Sequence, residues 1–137
     1  KIQGQATSCA NSIGQAASVE ALTGDQSAVA MMLGKFKERR DLMVSLLNDI
    51  PGVNCDIPGG AFYAFPDFSN YVSKSFRGKV IKDSFDLCEV ILSEAKVVTV
   101  PGDGFGAPGH IRFSYPVGEE IIREGISRVQ KVLEQLN

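Results

Sequence analysis

The chain has 137 residues, 14 Lys and Arg against 16 Asp and Glu, and a formal net charge of −2 at pH 7. With 44% apolar and 22% charged residues, its composition is that of a globular domain and excludes a disordered or fibrous chain. The weakly acidic charge argues against nucleic acid or an anionic membrane as a partner, and no apolar run is long enough to cross a bilayer.

The first half of the chain predicts helices. Residues 1–11 are small and polar and predict a loop, and residues 12–22 predict a short helix. Asp25 is placed as the N-cap of a long second helix, which Pro51 and Gly52 end. The second helix has apolar positions at helical spacing that predict its core face: Met32, Phe36, Met43, Leu46, Leu47 and Ile50.

The second half mixes strands and helices. Residues 53–57 and 61–65 predict two strands, and residues 66–81 predict a polar, exposed connection. Residues 83–96 predict a helix capped by Asp83, and residues 97–100 predict a short apolar strand.

A glycine-rich loop, a final strand and a final helix complete the chain. Residues 101–109 form the loop, and His110 to Tyr115 alternate as a strand does. The last helix carries one apolar face: Ile122, Ile126, Val129, Val132, Leu133 and Leu136. The order of these elements predicts an α+β fold in which helices cover a small three- or four-stranded sheet.

The cysteines indicate a reducing compartment. Cys9, Cys55 and Cys88 are odd in number and match no metal-binding spacing, so we expect reduced thiols, a cytoplasmic location and no metal site. Cys88 falls at helical spacing with apolar neighbours and is expected to be a small core residue.

The glycine-rich loop matches a dinucleotide-binding pattern only formally. Gly104, Gly106 and Gly109 satisfy the spacing GxGxxG, but that motif requires a helix directly after its last glycine. The alternating residues after Gly109 predict a strand instead. We therefore interpret the match as accidental.

Arg112 and His110 are the two basic residues that follow this loop. Arg112 lies in the middle of the final strand, where a planar guanidinium could bind a carboxylate through two parallel hydrogen bonds. The alternative is a structural ion pair with one of the acidic residues, and the residue pattern alone leaves both open. His110 has no partner at a catalytic spacing and is interpreted as a loop residue.

Three segments, in the right order, resemble one known family. They are Lys1–Ser8, Pro58–Tyr63 and Val100–Gly106, the last leading to Arg112-Phe113-Ser114-Tyr115. Together they resemble the C-terminal part of class I/II aminotransferases. These are fold-type I enzymes that use pyridoxal 5′-phosphate, and the prokaryotic-type aspartate aminotransferase group is the most similar.

The resemblance implies roles for two residues and a division of the chain. Arg112 resembles the arginine that binds the substrate α-carboxylate, and Phe62 resembles an aromatic residue that packs beside that site. Residues 1–24 would be the tail end of the large domain and its linker. Residues 25–137 would be the small C-terminal domain, entered by a long linking helix.

The resemblance also implies that the chemistry lies elsewhere. The family uses a lysine that forms a Schiff base with pyridoxal 5′-phosphate, and no lysine of this chain lies in the family's context for it. We therefore expect a fragment that is inactive alone, with no catalytic or cofactor-binding residue of its own and no bound cofactor. The parent enzyme would be a homodimer that acts on an amino acid, expected to be acidic, and a 2-oxo acid, with its large cofactor-binding domain missing here.

Two other hypotheses remain at this level. The chain could be a stand-alone module that binds a carboxylate or another protein without catalysis. The parent could also catalyse a different reaction of fold-type I enzymes, such as decarboxylation or elimination, on the same arginine site.

Overall fold

Three helices form the first part of the chain in the computed structural model, which describes residues 1–7 and 9–137. They are α1 (Ile2–Ala6), α2 (Ser12–Thr23) and α3 (Ser27–Asn48). The chain divides into two units, Lys1–Leu33 and Gly34–Asn137, so the division falls within α3. The boundary predicted at residues 24 and 25 stays a prediction.

The capping residues of the first unit explain where its helices begin. Asn11 accepts a hydrogen bond from the Gly14 N–H at 2.7 Å, which satisfies a free donor at the start of α2. The Asp25 carboxylate accepts from the Ser27 N–H at 2.9 Å. Because α3 starts at Ser27, Asp25 lies one residue before the expected N-cap position.

Two predictions for the first unit are corrected. Residues 1–11 were expected to form a loop but contain α1, which buries no side chain and so has no apolar periodicity to reveal it. Met32, predicted to be a core residue, is 55% exposed. No described residue of Lys1–Leu33 is buried. The apolar residues of this unit therefore form no core within it, even where they follow helical spacing.

Five short strands lie in the second unit. A three-stranded antiparallel sheet has the order β1-β5-β4, with β1 at Tyr63–Ala64, β4 at Val100–Pro101 and β5 at Ile111–Ser114. A separate hairpin joins β2 (Ser75–Phe76) to β3 (Lys79–Val80). The predicted α+β class with a small sheet is confirmed.

The strand predicted at residues 53–57 is shorter than expected because a side chain, not a neighbouring strand, makes hydrogen bonds to its backbone. Asn48, the last residue of α3, donates to the Cys55 carbonyl at 3.0 Å and accepts from the Cys55 N–H at 2.8 Å. Residues 53–57 therefore contribute only an isolated bridge between Asn54 and Asp67.

Residues 66–81 are not the exposed connection that their polarity predicted. They contain a turn of 3₁₀ helix at Ser69–Tyr71 and the hairpin, and they bury five apolar side chains: Pro66, Phe68, Tyr71, Phe76 and Ile81. The Tyr71 hydroxyl donates to the Pro51 carbonyl at 2.6 Å. A few large apolar residues thus hold a polar segment on the core.

Two helical segments follow the hairpin and the sheet. Helix α4 (Ser84–Val90) is capped by Asp83, as predicted, and continues as a π-helical turn at Ile91–Ala95. Helix α5 (Glu119–Leu133) buries the predicted apolar face, with Gly118 at its N-cap. In the described part of the chain, no helix is both long and apolar enough to cross a membrane.

The two faces of the three-stranded sheet differ. Ile111 and Phe113 of β5 are buried in the core, at 0% and 3% exposure. Arg112 and Ser114 point to the opposite face, since side chains alternate along a strand. On that face Arg112 is half-buried and Ser114 is exposed, so the polar face stays open to solvent.

Candidate functional site

Arg112 lies on the central strand of the sheet. It is paired with Val100 of β4, and the neighbouring Ser114 is paired with Tyr63 of β1. Buried neighbours on the other face hold β5 in place, so the Arg112 backbone is fixed by the core while its side chain leaves the sheet on the open face.

Two aromatic rings hold the Arg112 guanidinium between them. Its central carbon, Cζ, lies 4.4 Å from the centre of the Tyr63 ring and 5.0 Å from the centre of the Phe105 ring. Both distances are within the range of cation–π attraction, worth about 0.5–1 kcal/mol at exposed sites. The rings limit the orientations available to the guanidinium plane without using any of its N–H donors.

Arg112 has no acidic partner within the described residues. Other arginines do form ion pairs with carboxylates, including a two-bond contact of Arg77 with Glu94 at 3.0 Å. The Arg112 Nε atom is buried and has no hydrogen-bond partner in this part of the chain. A buried donor without an acceptor is costly, and a carboxylate accepting from Nε and a terminal nitrogen would satisfy it.

Phe62 lies beside this cluster. Its side chain is 41% exposed, and its ring centre lies 4.4 Å from that of Tyr63 at an interplanar angle of 48°. The rings in cation–π contact with Arg112 are those of Tyr63 and Phe105, not that of Phe62. The sequence analysis did not predict that Tyr63 and Phe105 contact Arg112, although both lie in segments that carry the family resemblance.

A tight turn carries Phe105. Residues Gly102–Phe105 form one turn of 3₁₀ helix after β4. A Cβ atom on Gly102 would lie 2.5 Å from the Ala107 carbonyl oxygen and 2.6 Å from that of His110, so only glycine fits. A strand follows the loop, which agrees with the prediction that its glycine pattern is not a nucleotide motif.

Asp103 in this turn is held by the first residue of α4. The fully buried Ser84 donates its N–H to the Asp103 carboxylate at 3.0 Å and its hydroxyl to the same oxygen, and the Asp103 N–H donates to the Ser84 hydroxyl at 3.2 Å. The Ser84 hydroxyl and N–H stabilise the charged carboxylate and so lower the pKa of Asp103.

Three other titratable side chains in the described part of the chain are two buried cysteines and the single histidine. Cys55 and Cys88 are free and buried, and burial raises the pKa of both thiols, which keeps them protonated. The His110 ring nitrogen Nδ1 lies 3.2 Å from the Pro108 carbonyl oxygen, within its own loop. No group of His, Cys, Asp and Glu suited to a metal ion occurs among residues 1–7 and 9–137.

The fold and this site therefore define a small α+β domain that presents one oriented guanidinium. Comparison with known proteins identifies the family of this domain, because the model of the family "Aminotransferase class I and II" matches residues 1–129. The chain belongs to this family, and the resemblance found from its motifs is confirmed. Of the first motif, Lys1–Ser8, residue Ser8 lies outside the described residues.

Known relatives agree with this assignment. An aspartate aminotransferase of Streptomyces avermitilis is 45% identical over 134 residues, covering 98% of this chain and 33% of that protein. The crystal structure of the Rhizobium meliloti aspartate aminotransferase has 41% identity and a TM-score of 0.94, covering 99% of this chain and 34% of that chain. An aspartate aminotransferase structure from Thermus thermophilus with maleate has 33% identity and a TM-score of 0.81, with coverage of 96% and 32%. The chain thus spans about one third of the length of the curated relatives it matches.

Proposed function

We propose that this chain is the substrate-binding, C-terminal portion of a pyridoxal 5′-phosphate-dependent aminotransferase. Its substrates would be an acidic amino acid, with aspartate the first candidate, and a 2-oxo acid. The observation that carries the proposal is the Arg112 guanidinium, held between two rings and without an acidic partner in the described part of the chain. The family membership and the names of the relatives support the reaction type.

Arg112 would bind the substrate α-carboxylate. A planar guanidinium presents two parallel N–H donors, which fix both the position and the rotation of a carboxylate. Tyr63 and Phe105 restrict the guanidinium before substrate arrives, so less freedom is lost on binding. Fixing the carboxylate orients the rest of the substrate, including its Cα–H bond, for reaction.

Phe62 would form an apolar wall beside the carboxylate site. Its exposed ring packs on Tyr63, so it extends the aromatic surface outward from Arg112. Such a wall lowers the local access of water and strengthens the ionic hydrogen bonds beside it. The small domain would close over bound substrate and exclude water from the site.

The cofactor would be held by residues outside this chain. When bound, pyridoxal 5′-phosphate stabilises negative charge at the substrate Cα, and that chemistry belongs to the cofactor. The guanidinium described above fits a substrate carboxylate, and we assign no residue here to the cofactor. We infer that the chain alone is inactive, and that the whole protein is a cytoplasmic homodimer that also contains a large cofactor-binding domain.

The test uses the full-length protein and this 137-residue chain. We expect the full-length protein to transfer the amino group of aspartate to 2-oxoglutarate in the presence of pyridoxal 5′-phosphate, and this chain alone to show no transfer. Maleate, the dicarboxylate bound in the Thermus thermophilus structure, is expected to compete with aspartate in the wild type.

The Arg112→Ala variant is the decisive comparison. It should lose most of the inhibition by maleate, while Arg123→Ala on the exposed face of α5 should keep it. Absence of transamination by the full-length protein with any acidic amino acid would contradict the proposed reaction. Equal maleate inhibition of the Arg112 variant and the wild type would contradict the proposed site.

A further inference from the structure

One pair of residues joins the turn that follows β4 to the first residue of helix α4. Ser84 is the first residue of α4 and has no exposed surface, and Asp103 lies in the 3₁₀ turn of residues 102–105. Three hydrogen bonds connect the two residues: each backbone N–H donates to the other residue's side chain, and the Ser84 hydroxyl donates to the Asp103 carboxylate. We call this pair the Ser84–Asp103 clasp.

The clasp holds a turn that backbone hydrogen bonds also close internally. The Gly106 N–H donates to the Asp103 carbonyl at 3.1 Å, and the Ala107 N–H donates to the Gly102 carbonyl at 3.0 Å. These bonds make residues 102–107 one stiff unit. The Gly102 N–H also donates to the His110 carbonyl at 2.8 Å, which joins the start of the turn to the residue before β5. The clasp adds the attachment of the turn to α4 and so helps to fix the position of Phe105.

Packing alone does not place Phe105. Its side chain is 57% exposed, and its aromatic neighbour is the Phe65 ring, with ring centres 6.3 Å apart in an edge-on contact. A ring this exposed is not locked by surrounding core atoms. Its distance of 5.0 Å from the Arg112 guanidinium therefore depends on the backbone turn that carries it.

We propose that Ser84 and Asp103 are positioning residues for substrate binding, acting through Phe105 on the orientation of the Arg112 guanidinium. The proposal rests on the proposed function of Arg112. Neither residue of the clasp contacts Arg112 itself among the hydrogen bonds of the described residues. Loosening the clasp would let the turn move, remove one wall of the guanidinium site and leave Arg112 more orientations to lose on binding.

The expected signature is a change in KM rather than kcat. In a clasp variant Arg112 is still present and would hold the bound carboxylate in the same orientation, so the loss is of binding shared by the ground state and the transition state, which raises KM. The effect should be about two- to fivefold, the equivalent of one exposed cation–π contact. Ser84→Ala in the full-length protein should raise KM for aspartate by that factor and change kcat less than twofold.

A double-mutant cycle separates this role from a general structural one. Phe105→Leu removes the ring and should raise KM by a similar factor. If the clasp acts through that ring, Ser84→Ala should have no further effect on KM in the Phe105→Leu background. Ser93→Ala is the matched control, since its hydroxyl donates to the Val90 carbonyl at 3.1 Å within the π-helical turn, away from the clasp.

Each outcome decides the proposal. It is overturned if Ser84→Ala leaves KM unchanged, or raises it equally with and without Phe105, or affects KM no more than Ser93→Ala does. Near-ultraviolet circular dichroism checks that each variant folds. If Ser84→Ala does not fold, Asp103→Asn enters the same cycle, because it keeps an acceptor but loses the charge that the two Ser84 donors stabilise.

Failure of this inference is distinguishable from failure of the proposed function. Arg112→Ala is measured in the same series. If it leaves KM for aspartate unchanged, the proposed substrate-binding role of Arg112 is wrong, and the positioning role of Ser84 and Asp103 is wrong with it. If Arg112→Ala raises KM strongly while the cycle shows no coupling, only the positioning role is wrong.

Discussion

Replacing Arg112 with lysine in the full-length protein separates charge from geometry. Lysine keeps a positive charge but presents it as a single point, so it cannot make two parallel bonds to one carboxylate. It also lacks the flat surface that lies 4.4 Å and 5.0 Å from the ring centres of Tyr63 and Phe105. The variant therefore loses one ionic hydrogen bond and part of the aromatic contact.

These losses give an expected magnitude. One hydrogen bond to a charged group is worth about 1.5–3 kcal/mol, and a cation–π contact at an exposed site about 0.5–1 kcal/mol. The sum of about 2–4 kcal/mol corresponds to a fall in kcat/KM of about 30- to 1000-fold. Arg112→Ala removes the charge and both bonds, so its fall should be larger.

Steady-state transamination of aspartate with 2-oxoglutarate measures this effect. The control Arg123→Lys lies on the exposed surface of α5 and should change kcat/KM less than twofold. A second comparison uses an amine substrate without an α-carboxylate, for which Arg112→Lys and the wild type should have nearly equal kcat/KM. The reasoning is refuted if Arg112→Lys equals the wild type on aspartate, or if it loses as much on the amine as on aspartate.

The remaining predictions concern the stability of the 137-residue chain. Gly102→Ala should lower the free energy of unfolding in urea by about 3 kcal/mol, because its Cβ would overlap two carbonyl oxygens, while Gly104→Ala, which meets nothing within 4 Å, should have little effect. Leu87→Ala should cost about 2–5 kcal/mol because Leu87 is fully buried, while Leu92→Ala, at 50% exposure, should cost far less. The pKa of Asp103 lies below its ordinary value of 3.8, so its contribution to stability is present above that pH and is lost as the pH falls through the lowered pKa. The stability difference between wild type and Asp103→Asn should therefore shrink as the pH is lowered through the acid range below the ordinary value, measured by thermal unfolding.

Three results would contradict these predictions. Equal unfolding free energies for the variants at Gly102 and Gly104 would mean that the close approach of the two carbonyls is absent or easily relieved. Equal costs at Leu87 and Leu92 would mean that burial does not control the stability of α4. A constant difference between Asp103→Asn and wild type across the acid range would mean that Ser84 does not hold the charged form of Asp103.

Local signals in the sequence were sufficient for several elements. Asp83 caps a helix as its position predicted, and the last helix carries one continuous apolar face that the structure buries. Alternation along His110 to Tyr115 correctly predicted a strand with Arg112 on the face opposite Ile111 and Phe113. These features depend on neighbours within a few positions, so a single sequence contains them.

Features that depend on distant partners could not be predicted in this way. The strand predicted at residues 53–57 is reduced to a bridge because Asn48 bonds to Cys55. The polar segment at residues 66–81 is held on the core by a few residues such as Tyr71. Each of these outcomes rests on contacts between residues far apart in the chain or on burial by other elements.

By itself, the sequence determined the α+β class and the family resemblance, and that resemblance favoured carboxylate binding by Arg112 over a structural ion pair. Only the tertiary structure decided the surroundings of Arg112: the Tyr63 and Phe105 rings, the missing acidic partner in the described residues, and the Ser84–Asp103 clasp. The physical reason is that a guanidinium is oriented by groups from separate strands and turns. The distances between these groups are set by the packing of the whole domain, so no local sequence pattern predicts them.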